Sequence, residues 1–246
     1  MWTLRPLDWD SEMLGLSCGF LQFSEEGTDL TASNNWRPAV VAALSEARRR
    51  GFRFLTAKIA SEADALVNAC FAERGLLTDT ELTFFKPAKK QPVTAALATG
   101  IRIEKVTSFW DDAFYPLSTT LQHSRFFRDN NIHQDVAERL WQASIKNSCS
   151  GRASYSIIAF VDGSPAGVVN VFEKETVSDV FLIAVLHQYQ RQGLGRAMLE
   201  YYDNCLSPDI TGQTVETQAT NYSAQALYTR MGYQAVAAKH SLHFWL

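Results

Sequence analysis

The sequence predicts an α/β chain with a mixed sheet, a larger C-terminal unit preceded by a smaller N-terminal one, and three observations carry this. Over residues 101–246, strand-like and helix-like stretches follow the order β-α-α-β-β-β-α-β-α-β-β, which calls for a mixed sheet with helices on both faces. An apolar run at 180–186 leads through a polar turn into Gln190-x-x-Gly193-x-Gly195 and then a helical pattern. Residues 86–100 (KPAKKQPVTAALATG) carry two prolines, a charge cluster and no periodicity, so they read as a linker. The expected division is 1–86, a linker at 87–100, and 101–246.

Taken in order, 17–23 is a short strand. Residues 36–50 repeat apolar side chains at helical spacing (Val40, Val41, Leu44, Ala47) and stop at Gly51. Residues 52–59 alternate as a half-buried strand. Ser61-Glu62-Ala63-Asp64 offers a cap for a helix reaching Arg74, and 76–86 is another strand. The second unit opens with a strand at 101–106 and helices at 109–122 and 133–147. Strands at 154–161 and 165–172 flank Asp162-Gly163, a strong hairpin signal. A strand at 177–186, a helix at 193–205, a strand at 213–218 and a helix at 224–230 follow, and strands at 233–237 and 241–245 close the chain. The helix–Gly–strand unit at 64–76 echoes that at 224–233, so the first part resembles a partial copy of the second. That first part has no Q-x-x-G-x-G loop and is not expected to bind a phosphate.

Composition removes several function classes. At 46% hydrophobic residues the 246-residue chain can bury a full core. A net charge of −3 without a basic stripe argues against nucleic acid as the main partner. No stretch approaches the roughly 18 apolar residues needed to cross a bilayer. The beginning, MWTLRPLDWDSEM, lacks a signal-peptide core, and the chain reads as cytoplasmic. Cys18, Cys70, Cys149 and Cys205 form no C-x-x-C pair and read as reduced thiols. The histidines show no metal spacing, so no metal is expected. His240 and His243, an odd number apart on a strand, point to opposite faces, and His187 reads as a solvated turn residue.

The glycine turn holds the most chemistry. A strand, a glycine turn and a helix N-terminus present free backbone N–H groups and a positive dipole end to an anion. The Walker pattern fails because no Lys-Ser or Lys-Thr follows these glycines. The dinucleotide fingerprint fails because no third glycine follows Gly195. A plain glycine hinge remains open. The Q-x-x-G-x-G spacing resembles the coenzyme loop of the GNAT N-acetyltransferases.

That resemblance implies acetyl-CoA as cofactor. Its pyrophosphate would be held by the amides of Arg191, Gln192, Gly193, Leu194, Gly195 and Arg196, with the Gln190 and Arg196 side chains in support. The backbone of Ile183, Ala184 and Val185 would pair with the pantetheine arm. Downstream, Asn221-x-x-Ala224-x-x-Leu227-Tyr228-x-x-x-Gly232-Tyr233 resembles the family's N-x-x-A-x-x-L-Y-x-x-x-G-F/Y segment. It implies a pantetheine contact for Asn221 and proton donation to the leaving sulfur for Tyr228. A phenol with a pKa of about 10 keeps its proton at neutral pH and can make that donation. An aromatic on an apolar helix face is the plainer reading of Tyr228. No base is marked. Asp179 and Glu216 are candidates, and surface-strand carboxylates are the simpler reading of both.

A second resemblance spans both parts. Leu7-Asp-Trp9-Asp10-Ser-Glu-Met-Leu-Gly15, Ala57-Lys-Ile-Ala-Ser61 and Ser124-Arg125-Phe126 are similar to segments of the bacterial TDP-fucosamine acetyltransferases. Leu14 stands where that family usually has an aromatic. The resemblance implies a nucleotide-linked amino-deoxy sugar as acceptor, with Trp9, Asp10, Arg125, Phe126 and Arg128 on its side of the site. Arginines there would suit a diphosphate. Another small amine (an amino acid, a polyamine, an antibiotic) and a non-catalytic acetyl-CoA-binding module are the alternatives. A homodimer paired through the apolar closing strand is one arrangement this chain end allows.

Overall fold

The computed structural model describes residues 2–23, 35–89 and 99–246, so most of the expected linker lies outside the described residues. The first part contains β1 (Trp2–Pro6), α1 (Asp8–Leu14), β2 (Cys18–Phe23), α2 (Arg37–Arg49), β3 (Phe54–Ala60), α3 (Asp64–Ala72) and β4 (Leu76–Pro87). The second contains β5 (Ile101–Val106), a 3-10 helix (Asp112–Thr120), α4 (Arg125–Arg128), α5 (Gln134–Asn147), β6 (Tyr155–Val161), β7 (Ser164–Lys174) and β8 (Val177–Val185). It ends with α6 (Leu194–Cys205), β9 (Gly212–Gln218), α7 (Tyr222–Arg230) and β10 (Gln234–Trp245).

All ten strands share one mixed sheet in the order β1-β2-β3-β10-β4-β9-β8-β7-β6-β5. The expected break at 87–100 is a break in the chain but not in the sheet. β10, last in sequence, is inserted between β3 and β4, and β4 pairs antiparallel with β9 from Glu81↔Gln218 to Pro87↔Gly212. Both edges of β10 are therefore bonded within the chain, and the closing strand has no edge left for pairing across a dimer.

Helices cover both faces, as a mixed sheet requires. α2 and α3 bury Val40, Leu44, Leu66 and Cys70 against Leu55, Ala57, Leu242 and Phe244. α6 packs Ala197, Met198 and Tyr202 on the strands around β8 together with Tyr228 of α7. The other face carries the 3-10 helix and α5 over Ile158, Val168 and Leu182, and a small cluster of Phe126, Ile132, Ala137 and Leu140 with Trp9 packed on it.

Four local expectations change. The stretch expected as an α-helix over 109–122 is the 3-10 helix, with Pro116 inside it; proline lacks the N–H that an α-helical ladder needs there. The two expected closing strands are one, β10, which absorbs two irregularities against β4, at Ala235/Ala237 and Ser241/Leu242. Lys86, assigned to the linker by its neighbours' composition, lies in β4, buried against Asp203. Ser61 does not cap α3: Ala63 holds that position without a side-chain bond. The Asp162-Gly163 hairpin forms as expected, with both residues at positive φ (48° and 81°). β1 and α1 were not anticipated as elements. α1 is short and ends at Gly15, whose φ of 69° is the left-handed stop that glycine allows.

Candidate active site

β8 and β9 run parallel and are paired only from Val177↔Gly212 to Val180↔Val215. β8 continues to Val185 and β9 to Gln218, so beyond this point the two strands diverge. The cause lies on the other edge of β8. There Val171 opposes Val180 and Asn170 opposes Leu182, leaving Phe181 as an extra residue. A bulge bends and twists its strand, and this one turns β8 away from β9. The gap is a slot of about 80 Å³ lined by Phe181, Leu182, Ile183, Thr217, Asn221 and Tyr228 among others. Backbone groups on that edge of β8 have no strand partner.

The loop that follows is shaped by two left-handed residues, Arg191 (φ 60°) and Gly193 (φ 81°). Leu194 is 2% exposed and anchors the helix start in the core. Among the described residues, nothing accepts a hydrogen bond from the backbone N–H groups of 191–196; the first amide to close a helical turn is Ala197, onto the Gly193 carbonyl. Consecutive unpaired amides at the N-terminus of a 12-residue helix form an anion cradle. Gly193 is required by its φ. Gly195 is not: a Cβ there would rest 3.5 Å from Leu227 Cδ2, an ordinary contact.

The loop side chains bond within the chain. Gln190 Nε2 donates to the Val185 carbonyl (2.9 Å), Gln192 Nε2 to the Gln188 carbonyl (3.1 Å), and Arg196 Nε to Glu200 Oε1 (2.8 Å). The anion-facing groups are thus main-chain ones. Ile183 and Ala184 turn their side chains into the cores on the two faces of β8, leaving their backbone at the slot.

Across the slot, Asn221 caps α7 by accepting from Ala224 N (3.3 Å), while its Nδ2 donates to Thr217 Oγ1 (3.1 Å). Tyr228 is 2% exposed between Phe84 and Tyr233, and burial raises its phenol pKa above the ordinary value. It is a protonated group at any working pH.

The slot opens into a wider cleft of about 320 Å³. The two share Ser124, Trp141, Val180, Phe181, Glu216 and Gln218. Sequence-predicted Trp9, Asp10, Arg125 and Phe126 all line the cleft, although more than a hundred residues separate the first pair from the second. Arg128 does not: it is exposed at the far end of α4. α4 is fixed from both ends. Trp141 Nε1 donates to Ser124 Oγ (2.8 Å), and Asp129, just past the helix, bonds His243 Nδ1 (2.7 Å) and Trp245 Nε1 (3.0 Å) of β10. Burial alone would raise Asp129, but its bonds to His243, Asn131 and Trp245 outweigh that and hold it at about 2. Desolvation lowers His243, so the imidazole is neutral and donates from Nδ1.

Five carboxylates (Asp10, Asp79, Glu81, Asp179, Glu216) face three cations (Lys58, Arg125, Arg152) in this cleft. Lys58 Nζ lies 2.7 Å from Glu81 Oε1, and Arg125 lies 3.6 Å from Asp10 Oδ2. Burial raises Asp10, Asp79 and Asp179. Glu216 is raised by burial and by the charge of Glu81, whereas Glu81, although desolvated, is held down by Lys58. The pair therefore holds one easily lost proton, on Glu216. Lys58, Asp79, Glu81, Arg152 and Ser241 were not singled out from the sequence. The signal for two of them was present: Asp79, Glu81 and Thr83 alternate along β4, a polar row on one face of a strand that packs on both.

The profile of the family described as "Acetyltransferase (GNAT) domain" matches residues 124–242. Residues 124–242 form a GNAT acetyltransferase domain. Among curated proteins, the "Spore coat polysaccharide biosynthesis protein SpsD" of Bacillus subtilis (strain 168) is 27% identical over 126 residues, 50% of this chain and 43% of that one. The "[Ribosomal protein bS18]-alanine N-acetyltransferase" of Escherichia coli (strain K12) is 37% identical over 65 residues, 26% of this chain and 44% of that one. The chain thus spans less than half the length of either relative. Among solved structures, a "Tandem GNAT protein from the clavulanic acid biosynthesis pathway" matches 92% of this chain and 74% of its own with a TM-score of 0.61 at 13% identity, a likeness of fold. The GNAT cofactor is acetyl-CoA, and the residues present fit it: unpaired loop amides for the pyrophosphate, and a slot with free strand edges for an extended amide-bearing arm.

Among the described residues no group of His, Cys, Asp and Glu is placed to hold a metal ion, and no helix is long and apolar enough to cross a membrane.

Proposed function

We propose that this protein is an N-acetyltransferase that moves an acetyl group from acetyl-CoA to the primary amine of a nucleotide-linked amino-deoxy sugar. One observation carries the reading: the donor slot and the acceptor cleft meet at Val180, Phe181 and Glu216, so an amine in the cleft faces the end of the slot. The sugar half of the proposal is supported by the two-part resemblance around Trp9 and Arg125, and by a relative whose name places it in polysaccharide biosynthesis. The first part of the chain then acts as a partial GNAT-like domain that supplies the acceptor wall.

The chain's residues divide the chemistry. The acceptor amine arrives as an ammonium and must lose a proton. The raised pKa of Glu216 makes its carboxylate the better-matched acceptor, and Asp179 lies beside it. A β8 amide at the slot edge polarises the acyl carbonyl. Tyr228, protonated and dry, donates a hydrogen bond to the departing sulfur. Arg125 is engaged by Asp10, so the cation left for a phosphate is Arg152, which is exposed in the cleft and forms no ion pair among the described residues.

The surplus of carboxylates favours a second reading, a plain cationic amine such as a polyamine. A mass-spectrometric screen with acetyl-CoA decides between them. TDP- and UDP-linked amino sugars, polyamines, amino acids and peptide amines are offered in parallel. Coenzyme A release with sugars supports the proposal, and release with peptide or polyamine only overturns it.

A further inference from the structure

The cleft has a floor whose polar atoms are unmet. Asp10 Oδ2, Asp79 Oδ1, Arg125 Nε and Ser241 Oγ are all buried and have no hydrogen-bond partner among the described residues. Ser241 is 1% exposed and Asp10 8%. Strand register brings the set together. Ser241 of β10 stands opposite Asp79 of β4 on one side and Lys58 of β3 on the other. α1 and α4 lay Asp10 and Arg125 over them. One position along the same face, Thr56 Oγ1 and His243 Nε2 are also buried and unmet. Buried polar groups ordinarily find partners, so this cluster marks a place where a ligand completes the bonding.

The kinds of atom define the ligand. The oxygens of Asp10 and Asp79 accept, Arg125 Nε–H donates, and the Ser241 hydroxyl does either. A phosphate only accepts, and would meet two carboxylates. An ammonium only donates, and would leave the Arg125 N–H unmet. Hydroxyl groups do both. We infer that the floor formed by Asp10, Asp79, Arg125 and Ser241 binds adjacent hydroxyl groups of the acceptor, so that a sugar ring seats there with its amine toward Glu216. This rests on the reading of the cleft as the acceptor site. It adds that acceptor selection is carried by β4, β10, α1 and α4, away from the donor loop. None of the four residues touches the slot, so acceptor and donor recognition are separable.

Titration calorimetry on the full chain without acetyl-CoA tests the floor by binding alone. The probes are a methyl 4-amino-4-deoxyhexopyranoside, its 2,3-dideoxy counterpart, a methyl hexopyranoside without an amine, spermidine and inorganic pyrophosphate. Loss of the two hydroxyls should weaken binding by about tenfold or more, as expected for hydrogen bonds to charged groups. Ser241→Ala and Asp79→Asn should shrink that difference. Should either variant fail to fold, the comparison of the two glycosides on the unaltered protein still decides. Equal affinity of the hydroxylated and dideoxy probes, the result for a floor that holds water only, overturns the inference. So does tighter binding of spermidine or pyrophosphate than of the glycosides. If the glycosides bind with this hydroxyl preference yet no amino sugar is acetylated, the floor stands and the sugar-acetylation reading fails. If amino sugars are acetylated with the same KM for hydroxylated and dideoxy forms, the reverse holds.

Discussion

Val180 and Val215 are the last residues that β8 and β9 hold in register, and the donor slot begins one residue later, at the Phe181 bulge. The strand edges beyond this pair, and the amides of 191–196, are unpaired in the free protein. Hydrogen exchange should read this directly. Peptides covering 181–185 and 191–196 should exchange quickly alone and slow by about tenfold or more with saturating acetyl-CoA, while β6 and β7 stay unchanged. Protection confined to the loop would show that the slot is not where the pantetheine lies.

The two loop glycines should separate in their effects. Gly193→Ala forces a side chain into φ 81°, which costs about 1 kcal/mol, and acetyl-CoA binding should weaken with it. Gly195→Ala meets only an ordinary contact and sits in the first turn of α6, so the melting temperature should hold. A fall in acetyl-CoA affinity in Gly195→Ala with unchanged stability would show that the backbone there is approached closely by the ligand. Calorimetry and thermal melts on the same samples report both.

Tyr228→Phe removes one hydroxyl from a packed aromatic site. Turnover should fall about 10²-fold, the size of a general-acid contribution, with the acetyl-CoA dissociation constant unchanged. Unchanged turnover would remove the acid role and leave Tyr228 a core residue. Because burial raises the phenol, no loss of activity from its ionisation is expected below about pH 10.

Glu216 should set the acidic limb of the rate profile. Its carboxyl is raised by burial and by Glu81, so activity should rise with pH through a value above the ordinary carboxylate range of about 4.3. Glu216→Gln should lower the rate and flatten that limb. Stability runs the other way. A raised carboxyl binds its proton more tightly when folded, so its ionisation destabilises the fold progressively above pH 4.3 or so. Glu216→Gln should therefore raise the melting temperature at pH 8 and leave it unchanged at pH 4.

Lys86 and Asp203 form a buried ion pair at 2.8 and 2.9 Å, with the ammonium 4.6 Å from the Tyr233 ring centroid. Lys86→Met leaves Asp203 charged in a dry site and should destabilise by about 3–5 kcal/mol. The double change Lys86→Met with Asp203→Leu should recover much of that, as denaturant melts would show. A single change costing under about 1 kcal/mol would mean that the pair is hydrated.

The sequence by itself determined what depends on neighbours along the chain. The α/β class, the Asp162-Gly163 hairpin, the loop at 190–195 and the Asn221–Tyr228 helix were legible because hydrophobic period, turn chemistry and helix caps act within about ten residues. Trp9, Asp10, Arg125 and Phe126 were legible as acceptor residues only through resemblance, and Arg128 shows the limit of that route. Tertiary structure decided the rest. No local signal says that β10 returns to lie between β3 and β4, yet that insertion puts Ser241 opposite Asp79 and Lys58 and ties Asp129 to His243. Lys86 looked like linker charge because its partner is 117 residues away. The acceptor cleft is likewise a product of sheet order. Its carboxylates come from α1, β4, β8 and β9, and only long-range pairing brings their charges close enough to shift one another.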